Sequence, residues 1–309
     1  MRPSAILAAS DLSPRSAQVG GRAARIAQRL EARLIVAHVA PADLVELPEE
    51  APRVPVEAVA DEGGGALAEA PSGPLRSLGQ RLLGRRMRRG IDGPARALDA
   101  AARGLLPKPE LRLLAGEPAE ELSRLATDEG AALMVLGLHR ERRVLDVLRL
   151  TTMERIVLAA PVPVLIAHRD AGRPYRRVLA LTDFSPASAA ALRFAARLAP
   201  EAEFHAIHAL QLPLGARLAA PDAAPDDFLT QAEQMRAAFL AAPGLPRLAE
   251  APEIVPGGVH EVLAYRQVEL DADLVCIGTH SGRDPEQLGN YARDLMRAPP
   301  TDLLVAKPG

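Results

Sequence analysis

The residues best placed to do chemistry lie in Asp273–Ala306, DLVCIGTHSGRDPEQLGNYARDLMRAPPTDLLVA. The stretch reads as a buried strand, a glycine-bearing loop from Gly278 to Gly289, a short helix and a second buried strand. Its strands, Leu274–Ile277 and Leu303–Ala306, are continuous apolar runs of the kind that parallel sheets bury on both faces. Gly289-Asn290 stands where the helix should begin, with Asn290 as the expected N-cap. A glycine-rich turn feeding a helix N-terminus is anion-binding chemistry, because free N–H groups and the helix dipole point outward there. A second copy of the arrangement lies upstream, at Ala132–Ala167.

Other reactive combinations are weaker. His38 with His139, and His208 with His280, fall at expected strand ends flanking Asp11 and Asp183. Two histidines and a carboxylate form a donor set for Zn²⁺, but hydrogen bonding at the sheet edge is the favoured reading. Cys276 is the single cysteine, so no intrachain disulfide can form, and its place within an apolar strand predicts a core thiol. No Ser/His/Asp, Cys/His or paired-carboxylate site can be assembled, and no dedicated catalysis is expected.

Positioning these loops requires a repeated α/β framework. Ser4–Ser10 predicts a first strand, followed by Asp11-Leu12-Ser13-Pro14, in which Ser13 caps a helix and Pro14 takes its first position. That helix carries Val19, Ala23, Ile26 and Leu30 on one face, and Leu34–Val39 is the second strand. Pro41–Pro74 is rich in proline, glycine and acid and predicts an insertion without a packed core, cut first by protease near Gly63–Gly73. Leu75–Leu106 predicts helix in one or two pieces. Its Arg81, Arg85, Arg86, Arg88 and Arg89 read better as a solvated face than as a nucleic-acid patch, since no aromatic residues interleave them. Leu111–Leu114, Glu117–Asp128, Leu133–Leu136, Thr152–Ala159 and Val162–Ala167 complete the first unit as strand, helix, strand, helix, strand.

From Arg176 the programme repeats: Val178–Pro186 restates Leu7–Pro14, and Gly257–His280 matches Gly116–His139 without a gap. The architecture expected is therefore two tandem domains, 1–170 with an insertion at 41–106 and 171–309, each large enough for its own core. At 309 residues with 48% apolar and 25% charged residues, the composition is that of a soluble globular chain. A net charge of −2 gives no global field for nucleic acid or anionic membrane. The apolar run Ala5–Ala9 is too short for a signal or membrane segment, and a cytoplasmic location is expected.

Each half resembles the universal stress protein family. The shared features are Asp-x-Ser-Pro after strand one, His38 and His208 ending strand two, the Gly-x-His ends of strand four, and the proline-rich lead into strand five. The resemblance implies an α/β, Rossmann-like fold: two tandem five-stranded parallel sheets of order 3-2-1-4-5 with helices on both faces. Ligands in such a sheet lie beyond the strand C-termini, where strand one meets strand four. It also implies that fifth strands pair, here Val162–Ala167 with Leu303–Ala306, giving an intramolecular pseudo-dimer.

ATP-binding members of that family carry Gly-x2-Gly-x9-Gly-Ser/Thr after strand four. In the first half Gly137 and Thr151 match while Arg140 and Leu150 replace glycines, which resembles the family's non-nucleotide branch. In the second half Gly278 and Gly289 match, Ser281 with Gly282 beside it replaces the middle glycine, and Asn290 replaces Ser/Thr. The loop is two residues short, and Asp284 and Glu286 add negative charge. Carried over by position, Thr182, Asp183 and Ala209 face the ribose and adenine. The function implied is a stress-response regulatory or binding protein, with a degraded and weak ATP site in the second half only. The alternatives are an ATP-binding protein with slow ATPase activity, or an interaction scaffold that engages protein partners without nucleotide.

Overall fold

A computed structural model describes residues 4–13, 16–41, 93–138, 150–168, 172–210, 226–279 and 288–307. The insertion Pro41–Pro74, apart from Pro41, and the arginines at 81–89 lie outside the described residues.

The first half runs β1 (Ala5–Ala9), α1 (Ser16–Arg29), β2 (Arg33–Ala40), α2 (93–102), β3 (Glu110–Ala115), α3 (Pro118–Asp128), β4 (Ala131–Gly137), α4 (Thr152–Ala159) and β5 (Val164–Ala167). The second runs β6 (Arg177–Leu181), α5 (Pro186–Leu198), β7 (Glu203–Leu210), α6 (Asp226–Leu240), β8 (Glu253–Pro256), α7 (Val259–Glu269), β9 (Leu274–Gly278), α8 (Asn290–Arg297) and β10 (Asp302–Ala306). The ten strands form one sheet of order β3-β2-β1-β4-β5-β10-β9-β6-β7-β8, so each half has the 3-2-1-4-5 order. Strands are parallel within each half. Only at the seam do they run antiparallel, with Leu304 opposite Leu165 and Leu303 opposite Ile166. The fifth strands thus pair within one chain, and an approximate two-fold axis passes between Leu165 and Leu304.

Burial on both faces explains the unbroken apolar runs. Alternate residues of each strand feed two cores, Ile6 and Ala8 into one and Ala5 and Leu7 into the other. The first core receives α1 and α5, including Val19, Ala23 and Ile26, with Leu30 packed at its margin. The second receives α3, α4, α7 and α8. Leu165 and Leu304 are fully buried, and such burial stabilises by about 1.5–3 kcal/mol per side chain.

Several boundaries differ from those read in the sequence. β5 begins at Val164, after the prolines, because Pro161 and Pro163 cannot donate to the ladder. β10 begins one residue earlier than its apolar run, at Asp302. Ser13 N–H donates to Asp11 Oδ1 at 2.9 Å, and Pro14, the expected first helical residue, lies outside the described residues. In the second half the corresponding cap forms: Ser185 Oγ accepts from Ser188 N at 3.2 Å, with Pro186 in the first helical position.

Candidate functional site

The turn after the first strand of each half is built the same way twice. Ser10 Oγ accepts from Leu12 N at 3.1 Å, and Thr182 Oγ1 accepts from Phe184 N at 2.8 Å. Asp183 Oδ1 accepts from Ser185 N at 3.0 Å and from the Ser188 hydroxyl at 2.6 Å. Leu12 and Phe184 are both left-handed, at φ of 60° and 62°, a conformation uncommon for bulky residues that these side-chain bonds hold in place. The strand-two histidines complete the turns: His38 Nδ1 lies 2.8 Å from Ser10 O, and His208 Nδ1 lies 2.8 Å from Thr182 O. A carbonyl only accepts, so Nδ1 carries the proton in both. Phe184 stacks on the His208 ring, with centroids 4.8 Å apart. His139 and His280, which the metal reading requires, lie outside the described residues.

The glycines that end strand four serve packing. A Cβ on Gly278 would sit 2.8 Å from Ala187 Cβ and 3.0 Å from Ser188 N, and one on Gly137 would sit 2.9 Å from Val19 Cγ2. Close approach of the α5 backbone to β9 thus requires Gly278 whatever the loop binds, while at Gly137 only the Val19 side chain would have to give. Gly289 differs, because a Cβ there meets none of the described residues within 4 Å.

The two helix starts beyond strand four diverge. At α4, Thr151 is the N-cap and forms a capping box: its Oγ1 accepts from Glu154 N at 3.2 Å, and Glu154 Oε2 accepts from Thr151 N at 2.7 Å. A carboxylate therefore occupies this helix terminus. At α8 the N-cap is Gly289, in place of the expected Asn290, which is the first helical residue. Among the described residues no side chain caps this end. Both helices have eight residues, with Ala160 and Ala298 as their C-caps, so Gly289 stands level with Thr151 rather than with Leu150. Leu288 then matches Leu150, yet Leu288 is 7% exposed and turned into the core while Leu150 is 42% exposed. Gly289 N ties the start of α8 to the strand by donating to Thr279 O at 3.3 Å.

Around this opening the carried-over residues are unevenly placed. Asp183 is partly exposed, at the end of β6 beside β9. Thr182 is buried with its hydroxyl engaged in the turn, and Ala209 is buried in the second core. Ser281, Gly282, Asp284 and Glu286 lie outside the described residues, as does the Asn290 side chain. Tyr291 follows on α8, its ring 4.8 Å from that of His260 and its phenol pushed up by burial.

The model of the universal stress protein family matches residues 4–168 and 174–307. The chain belongs to that family. Solved structures of other universal stress proteins share its fold over the whole chain. One from Archaeoglobus fulgidus DSM 4304 is 18% identical with a TM-score of 0.59, over 100% of this chain and 97% of that one. A putative one from Pseudomonas aeruginosa UCBPP-PA14 is 17% identical with a TM-score of 0.54, over 99% and 93%. No curated protein matches the chain. Among the described residues of this family member, no cluster of three His, Cys, Asp or Glu side chains could hold a metal ion, and no helix is long and apolar enough to cross a membrane.

Sequence reading missed two features of the site. Thr151-x-x-Glu154 is a capping-box pattern legible in the chain, yet only the threonine was singled out. Glu154 also reaches the second half, with Oε1 at 3.0 Å from Arg297 Nε and 3.4 Å from Arg293 Nε. No local signal marks that partner choice.

Proposed function

We propose that this universal stress protein is a regulatory binding module without dedicated catalysis, whose two halves are unequal at their anion loops. One observation carries the reading: α4 has its N-terminus filled by Thr151 and the Glu154 carboxylate, while α8 begins at a glycine that no described side chain caps or covers. Uncapped N–H groups and the positive end of the helix dipole favour a phosphate, and a fixed carboxylate at the same place repels one. The second half therefore takes ATP or ADP weakly, at one site per chain, and the first takes none. The test is nucleotide retained through purification, followed by calorimetric titration. A stoichiometry near one supports the reading, and two equivalent sites would sink it.

A nucleotide-free scaffold is the second reading. It is favoured by the Thr182 hydroxyl and Asp183 Oδ1, both already engaged inside the turn. No binding at either half, in protein that is folded by circular dichroism, would decide for it. Release of inorganic phosphate from bound ATP would instead assign slow hydrolysis to the second half.

A further inference from the structure

Both faces of the β5–β10 seam carry buried ions, and each ion takes its counter-ion from the other half. On the α1 face, Arg22 Nε lies 2.9 Å from Asp302 Oδ2, with side chains 4% and 0% exposed. Arg22 Nη1 also donates to Arg173 O at 2.9 Å. Asp302 accepts besides from the Tyr175 hydroxyl at 2.7 Å and from His168 N at 2.8 Å. The Arg22 guanidinium stacks over the Tyr175 ring, 4.6 Å from its centroid. On the opposite face Glu154 is fully buried beneath Arg297 and Arg293. The first half supplies the cation on one face and the anion on the other.

The two-fold axis shows what these charges discriminate. Counting from Asp11 and Asp183, Arg22 corresponds to Phe194. About the Leu165–Leu304 centre, Asp302 corresponds to Pro163. Along α4 and α8, Glu154 corresponds to Ala292, Arg293 to Arg155 and Arg297 to Ala159. Pairing two first halves through β5 would set Arg22 against Pro163 twice, leaving two buried guanidiniums without a counter-ion. Pairing two second halves through β10 would set Asp302 against Phe194 twice, and Arg297 against Ala292. Only a first half against a second half satisfies every ion.

We infer that the Arg22–Asp302 and Glu154–Arg297 pairs are a polarity key: they specify which half pairs with which and bar like-with-like association of two copies of this chain. A buried ion stripped of its partner is far costlier than a well-packed apolar pair. Two such ions disfavour each wrong seam by at least about a hundredfold.

The test uses the full chain carrying Leu165→Cys, because pairing of two first halves sets that position against itself across the axis. The chain is refolded under oxidising conditions with the key intact, with Arg22→Met/Asp302→Asn, and separately with Pro163→Asp. The double variant removes the charges of the Arg22–Asp302 pair while the amide oxygen that replaces the carboxylate can still accept from His168 N. Pro163→Asp gives the first half both members of that pair. Each should raise the disulfide-linked dimer fraction at least about tenfold over the intact key. Equal dimer fractions in all three chains would overturn the inference. Failure of the double variant to fold would overturn it too, since the pair would then be needed for folding and not for choice of partner.

Discussion

Substituting Gly289 separates nucleotide affinity from stability, because the fold makes no demand for glycine there. Its φ and ψ of −58° and 143° lie close to the −68° and 161° of Thr151, which does cap its helix, and a Cβ at Gly289 meets none of the described residues within 4 Å. Gly289→Asp should therefore place a carboxylate on the uncapped N–H groups of α8. Capping in place of glycine is worth a few tenths of a kcal/mol, and the charge against the helix dipole about 0.3–1 kcal/mol more. Thermal unfolding should move up by about 1–4 °C. The same carboxylate would sit where the proposed phosphate docks. Two unit charges about 4 Å apart near a protein surface repel by about 4 kcal/mol, and even strong solvent screening leaves at least about a tenfold loss of affinity. Gly289→Ser is the control, capping without charge. It should stabilise similarly and leave ATP affinity intact. Calorimetry and thermal unfolding on the three proteins give both readouts. If ATP binds the Asp variant as tightly as the Ser variant, the start of α8 is not the anion site.

Asp302→Asn should cost about 3–5 kcal/mol, because it leaves the Arg22 guanidinium buried without its counter-ion, and Arg22→Met/Asp302→Asn should recover most of that loss in chemical denaturation. Leu304→Asp, opposite Leu165 at the centre of the seam, should expose the cores of both halves; unchanged compactness in small-angle scattering would contradict the observed pairing. Arg112, with Arg33 beside it, holds the Glu129 carboxyl below its usual value of 4.5. A carboxyl lowered in the folded state contributes stability above the unfolded value and loses it as pH falls through the folded one. Glu129→Gln should thus flatten the loss of stability below about pH 4.5 seen in denaturant titrations. Burial alone pushes the Cys276 thiol up to about 12, so alkylation at pH 8 should proceed only as fast as the chain opens.

The framework was legible in the chain because its signals are local and repeated. Unbroken apolar runs mark strands covered on both faces, and Asp-x-Ser-Pro occurs twice with the same turn behind it. The pairing of fifth strands is what the family resemblance implies, and two apolar edges that need cover agree with it. The site was less legible, because its character depends on where a helix begins to within one residue. Asn290 reads as a cap in isolation, yet the eight-residue length shared by α4 and α8 gives the cap to Gly289. Gly278 and Gly137 match a phosphate-loop pattern, but Ala187 and Val19 explain them by packing. The seam ions were least legible of all, since Arg22 and Asp302 meet only once the ten strands are in order. Asp302, an acid opening an apolar strand, was the one trace left in the sequence.

Fusion of two copies explains why these differences could accumulate. In a symmetric dimer each seam residue meets the same surface on its partner, so an arginine at the Arg22 position needs its carboxylate on its own chain type. A tether holds the second half at high effective concentration, and the seam need no longer complement itself. Arg22 can then stand alone in the first half and Asp302 in the second, with Phe194 and Pro163 at the corresponding places. Glu154 joins this seam to the loop: one oxygen closes the start of α4 while the other meets Arg297. The carboxylate that caps α4 is thus part of what holds the second half in place. Restoring an open terminus at α4 by removing Glu154 would loosen the seam, whereas the start of α8 carries no such contact from Gly289. The first half thus commits its helix terminus to assembly through Glu154, where the second half has Ala292 at the corresponding place.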